Sequence, residues 1–281
     1  MSYRDISAFI QSADHDASVI DLATRVAEQF SDRAQAHLSF VAVHETPSGA
    51  SVTIEWPTEN FWDTLYRRCE EELEETVGAL QTRMRASSLP FATERILLAR
   101  SSLHRAVALR ALHSDIAIVS RPQKDQNDAC GFPGLLFDSG RPVLLAPPDW
   151  KAGPVGSSIM ICWKASREAA RALSAAAPFL EASTGAIIAT VDAQPSDGGY
   201  GQIPGADVAA NVSRHCSKVE VVSIASAGRS EWAALQDLAE DRGADLIVMG
   251  GYGRSRISEW AFGGVTREML KTARIPVLIA H

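Results

Sequence analysis

The segment Met249-Gly-Gly-Tyr-Gly-Arg-Ser-Arg-Ile-Ser-Glu-Trp-Ala-Phe-Gly-Gly-Val-Thr266 is the part of the chain best suited to chemistry. It leaves an apolar stretch and leads into a helical pattern. Gly250 and Gly253 lack a Cβ, so the backbone there can turn sharply or approach a ligand closely. Gly263 and Gly264 stand just before a helix expected to begin near Val265. The unpaired N–H groups of a helix start favour an anion. Arg254 and Arg256 add positive charge. The chemistry implied is an anion cradle suited to the phosphates of a nucleotide, although the same glycines also fit plain tight turns. Other phosphate motifs are absent. No G-x-x-x-x-G-K-[ST] occurs, and Gly251-Tyr-Gly253 lacks the third glycine of a dinucleotide fingerprint.

The elements that position this segment are legible from an internal repeat. Asp115-Ile-Ala-Ile-Val119 is matched by Asp245-Leu-Ile-Val-Met249, 130 residues later. Each is followed by a loop, a helix and a closing strand led by proline, Arg141-Pro-Val-Leu-Leu-Ala146 and Ile275-Pro-Val-Leu-Ile-Ala280. Hydrophobic periodicity gives strand and helix in alternation within each copy. In the first copy, strands are expected at 6–10, 37–44, 91–99, 116–120 and 142–146, with helices at 16–30, 60–86, 102–113 and around Leu135. The second copy repeats the order, with strands at 158–163, 186–191, 219–224, 246–249 and 276–280 and helices at 166–180, 206–215, 230–241 and 265–273. A Gly/Pro/Ser loop spans 193–205. Alternation of this kind implies parallel sheets covered by helices on both faces. We expect an α/β chain of two tandem doubly wound domains, 1–148 and 155–281, each with a five-stranded parallel sheet. The Pro/Gly-rich stretch Pro147–Pro154 is the expected linker.

Composition narrows the functional classes. The 281 residues are 46% hydrophobic and 22% charged, which is ordinary for a globular protein. The net charge of −7 is unevenly placed. Residues 1–150 hold 14 Lys/Arg and 21 Asp/Glu, whereas residues 151–281 hold 13 of each. An acidic first half and a neutral second half argue against nucleic acid and anionic membranes. No apolar run reaches the roughly 18 residues of a membrane span, and the N-terminus lacks a signal-peptide core, so a cytoplasmic location is expected. Cys69, Cys130, Cys162 and Cys216 form no Cys-x-x-Cys pair, which argues against a metal or disulfide framework.

The glycine segment resembles a known family. Gly250-x2-Gly253-x9-Gly263, between an apolar strand and a helix, matches the G-x2-G-x9-G-[ST] pattern of universal stress proteins. Ile161-Cys-Trp-Lys-Ala-Ser-Arg-Glu-Ala-Ala-Arg171 is similar to that family's first strand and helix. The resemblance implies a tandem universal stress protein that binds ATP or another adenine nucleotide at the strand C-terminal ends of its second domain. Carried over, it implies that Gly250, Gly253, Gly263 and Gly264 wrap the phosphates. It places Val265 at the helix start, Lys164 at the end of the first strand, and Thr190 and Val191 near adenine or ribose, with Arg254 close by.

Two positions depart from the pattern. Gly264 replaces the family's Ser/Thr and so loses a hydroxyl, while Lys164 replaces its usual Asp. A protonated lysine meets a phosphate but does not ligate Mg²⁺. The first copy has Ser120 and Gln123 at the positions of Gly250 and Gly253, so it is expected to lack a nucleotide site. No general base accompanies the loop, so little or no ATP hydrolysis is expected. The expected role is a stress-response regulator with an adenine nucleotide as ligand, together with a protein partner or homodimer. The alternative is a scaffold that binds no nucleotide.

Other residues carry structural readings. Ser166 is an expected helix N-cap. Glu70–Glu75 is an expected solvated acidic face suited to a basic partner. Phe61, Trp62 and Trp56 are candidates for packing the two copies together.

Overall fold

Each copy contributes five strands, and the paired sequence pattern becomes a paired sheet. In the computed structural model, residues 2–46, 60–122, 129–195, 203–251 and 264–281 are described. The first half runs β1 (Asp5–Ile10), α1 (Ala17–Ala34), β2 (His37–Thr46), α2 (Phe61–Met84), β3 (Phe91–Ala99), α3 (Arg100–Ala111), β4 (Ile116–Ser120), α4 (Phe132–Phe137) and β5 (Val143–Ala146). The second half runs β6 (Ser158–Cys162), α5 (Arg167–Ala175), α6 (Ala177–Ala182), β7 (Gly185–Val191), α7 (Ala206–Val212), β8 (Val219–Ile224), α8 (Glu231–Asp241), β9 (Leu246–Gly250), α9 (Gly264–Thr272) and β10 (Val277–Ala280).

The two expected five-stranded parallel sheets are present and join edge to edge into one sheet of ten strands, ordered β3-β2-β1-β4-β5-β10-β9-β6-β7-β8. Within each half the strands are parallel, and the halves meet through antiparallel pairing of β5 with β10, Val277 opposite Leu145 and Ile279 opposite Val143. The cause lies in the strand sequences. Val-Leu-Leu-Ala and Val-Leu-Ile-Ala are buried at every position, and each alone would be an exposed apolar edge.

Helices cover both faces. Apolar residues of α1, α2, α5, α6 and α7 pack on one side, and those of α3, α4, α8 and α9 on the other. The winding therefore reverses between β1 and β4 and again between β6 and β9, where ligands of such folds bind.

The repeated aspartate has a physical role. Asp115 accepts backbone hydrogen bonds from Arg4 and Asp5 at 2.8 and 3.1 Å, pinning the start of β1 beside β4. Asp245 does the same for β6, accepting from Ser157 and Ser158 at 3.2 and 3.1 Å. One expected helix is divided. Residues 166–180 break at Ala176 because Pro178 has no N–H to donate, so α6 begins separately.

The seam is reinforced by three rings. Tyr3, Phe30 and Phe179 meet edge to face with centroids 5.3–5.5 Å apart, and Phe179 comes from the second half. The Tyr3 hydroxyl donates to the carbonyl of Ala175, and burial pushes its pKa up. These rings correct the expectation for Phe61 and Trp62, which meet edge to face with centroids 5.3 Å apart and with Trp62 exposed. Trp56 lies outside the described residues. Tyr3→Phe leaves the Ala175 carbonyl without this donor and is expected to destabilise the chain by about 1–3 kcal/mol. Urea unfolding at neutral pH checks this.

Candidate functional site

The reversal between β6 and β9 brings three strand ends side by side, in the order β9, β6, β7. Cys162 at the end of β6 faces Met249 across the pairing with β9. Trp163 then donates its N–H to the carbonyl of Ala189 at 2.8 Å, holding the chain beside β7. Lys164 follows and is exposed. Ser166 caps α5 as expected, its hydroxyl accepting from the Ala169 N–H at 3.2 Å.

Gly250 ends β9 and is constrained by packing. A Cβ there would lie 2.5 Å from the Ala169 nitrogen and 2.7 Å from the Glu168 carbonyl carbon. The bare glycine thus admits the first turn of α5 against the strand end. The missing Cβ of Gly250 thus makes room for protein backbone on the α5 side of the strand end. Gly251 is similar, since a Cβ would meet Ile279 at 2.8 Å. Its carbonyl lies 3.0 Å from His281 Nδ1.

Thr190 is 1% exposed and its hydroxyl has no hydrogen-bond partner among the described residues. Val191 is partly buried beside it, opposite Ile224 of β8. Gly264 opens α9 and is exposed, with nothing within 4 Å of a built Cβ. Because α9 returns the chain to a parallel strand, its N-terminus lies at the same end of the sheet as the strand C-termini. Val265 packs its side chain on the α8 side of the sheet, so only its backbone is suited to a ligand. Gly253, Arg254 and Gly263 lie outside the described residues.

Glu168 escaped the sequence reading. It is 7% exposed in the first turn of α5, beside Gly250. Burial works against its charge, but hydrogen bonds from its own amide, Arg167 and Ser166 outweigh it and hold the carboxyl below its usual range. Its position in the first turn was the only signal available, because a negative charge is favoured there.

The matching end of the first half is built differently. The register of β1 with β4 and of β6 with β9 places Gln11 where Lys164 stands. It likewise places Ala42 where Thr190 stands. Asp16 turns its carboxylate into the loop and accepts from the Gln11 and Ser12 amides at 2.6 and 3.1 Å. Burial raises its pKa, against the pull of those bonds. The loop amides are therefore spent on a protein acid. The acidic run of α2 is partly neutralised too, with Glu72 bound to Arg68 at 2.9 Å and Glu74 to Arg95 at 2.8 Å. All four cysteines are free thiols, and no cluster of three His, Cys, Asp or Glu suited to a metal occurs among the described residues. No helix among them is long and apolar enough to cross a membrane.

Residues 157–281 match the Universal stress protein family. A universal stress protein of Methanocaldococcus jannaschii is 40% identical over 42 residues, a match spanning 15% of this chain and 26% of that protein. Among solved structures, a universal stress protein from Archaeoglobus fulgidus covers 97% of both chains at 14% identity and a TM-score of 0.69. A putative universal stress protein from Pseudomonas aeruginosa covers 99% of this chain and 93% of its own at 14% identity and a TM-score of 0.58. The family match is thus confined to residues 157–281, while the fold of solved universal stress proteins extends over the whole chain.

The two glycines make opposite predictions. Gly250→Ala forces backbone apart and is expected to cost about 1–3 kcal/mol. Gly264→Ala meets open space and is expected to be neutral or stabilising by less than about 1 kcal/mol. Thermal unfolding of the two variants beside the wild type checks both.

Proposed function

We propose that the second half binds ATP or a related adenine nucleotide and that the protein is a stress-response regulator with little or no hydrolytic activity. We take residues 1–148 as a domain without a nucleotide site and residues 155–281 as the binding domain. The observation that supports this reading is the Thr190 hydroxyl, buried without a partner among the described residues. A buried unpaired hydroxyl costs about 1–3 kcal/mol, and a ligand's polar group at the end of β7 relieves that cost. The first half has Ala42 at the same register and needs no such partner.

In this reading the base or ribose meets Thr190 and Val191. The phosphates meet the N–H groups that begin α9 at Gly264 and Val265, the loop carrying Gly250, Gly253, Arg254 and Gly263, and the ammonium of Lys164. Lys164 replaces a metal-ligating acid, so binding proceeds without a protein-held Mg²⁺. Occupancy then biases assembly with a protein partner or a second copy.

A second reading is a scaffold that binds no nucleotide. It is favoured by Gly250 and Gly251, whose missing Cβ atoms are explained by packing on α5 and Ile279.

Calorimetric titration with ATP and AMP separates the two. The nucleotide reading expects one site per chain, unchanged within about threefold by EDTA. Lys164→Glu is expected to weaken it about tenfold, in line with one lost charge-assisted contact. Gly264→Ser restores a hydroxyl in open space and is expected to tighten it by up to about tenfold. No heat of binding at millimolar nucleotide overturns the nucleotide reading in favour of the scaffold.

A further inference from the structure

Arg121 stands in the first half where Gly251 stands in the second. Its N–H donates to the Ala146 carbonyl at 2.8 Å, as the Gly251 N–H donates to Ala280 at 2.8 Å. The side chain has no counterpart in the second half. It is partly buried, its Nε is buried without a partner among the described residues, and its Nη1 donates to the carbonyl of Leu270 at 3.0 Å. Burial lowers its pKa and Asp149 opposes that shift, but a guanidinium keeps its charge at neutral pH.

Leu270 lies in the last turn of α9. Carbonyls there lack intrahelical donors, and a cation beside them is favoured by the helix dipole. The other end of the same nine-residue helix begins at Gly264, where the phosphates of the proposed nucleotide would sit. Further ties to α9 and the residues just after it come from the second half itself. The Trp232 indole donates to Thr272 at 3.0 Å, the Ser230 hydroxyl to Glu268 at 2.7 Å, and Gln236 accepts from the Arg274 amide at 3.2 Å. These hold α9 sideways against α8. The bond from Arg121 holds its C-terminal end from the other half of the molecule.

We propose that Arg121 is a positioning residue: from the half without a glycine cradle it fixes α9, and thereby the N–H groups at the start of that helix that would receive phosphate. The tie rests on the geometry, and its effect on ligand affinity rests on the nucleotide reading above. Nucleotide binding in the second half would then depend on a residue of the first.

The test is hydrogen exchange on the full chain, without nucleotide, for the wild type, Arg121→Ala and Arg121→Lys, followed by ATP titration of each. Arg121→Ala is expected to speed exchange in residues 264–274 about threefold or more while α8 keeps its protection, with lysine restoring most of the loss. ATP affinity is expected to fall about threefold to tenfold in the alanine variant. Unchanged exchange in 264–274, a uniform rise over both halves, or no recovery with lysine overturns the tie. Local loss of protection with unchanged ATP affinity overturns the effect on binding. A wild type that binds no ATP but shows the local loss refutes the nucleotide reading while leaving the tie established.

Discussion

Two four-residue apolar strands, β5 and β10, pair antiparallel and are buried along their whole length. The relation between the two halves follows from that pairing. It turns two parallel half-sheets into one sheet and makes the strands of the halves run in opposite directions. The C-terminal strand ends of the first half therefore lie at one end of the sheet and those of the second half at the other. It also brings the end of α9, which precedes β10, to the strand ends of the first half, within reach of Arg121. The Tyr3, Phe30 and Phe179 rings then seal the helical layer above the same seam.

The two halves keep the residues that build the fold and differ in those at the strand ends where the proposed nucleotide would bind. Asp115 and Asp245 each pin the first strand of their half. At the strand ends the correspondence breaks. By register, Gln11 corresponds to Lys164, Ala42 to Thr190, Ser120 to Gly250 and Arg121 to Gly251. Asp16 adds a buried acid to the first half, where the loop amides would otherwise be available to an anion. The net charge of −7 on residues 1–150 and zero on the remainder follows the same division.

The fold was largely legible because its signals are local and repeated. The Asp-led apolar strands and their proline-led closing strands carried the order of elements, and the structure adjusts most boundaries by only a few residues. The junction of the sheets was not legible. Short apolar strands such as Val-Leu-Leu-Ala announce burial but not the partner that buries them. Pro178 did mark the break between α5 and α6, but a helical pattern continues through it in sequence. Of the candidate site, Lys164 and Thr190 were named through the family resemblance and Gly264 also through its place before a helix; the structure puts Lys164 just after β6, Thr190 near the end of β7 and Gly264 at the start of α9. The packing role of Gly250 depends on how closely α5 crosses β9, and Glu168 on which way a first helical turn faces. Both are tertiary facts without a sequence spacing. Arg121 was likewise invisible, because its partner lies 149 residues away in the other repeat.

In the proposed function the second half is the single binding half. Photolabelling with an azido-adenine ATP analogue, followed by mass spectrometry of the peptides, tests that most directly. The prediction is label confined to peptides at the ends of β6, β7 and β9, competed away by unlabelled ATP. Competable label in the first half, or no competable label anywhere, would contradict it.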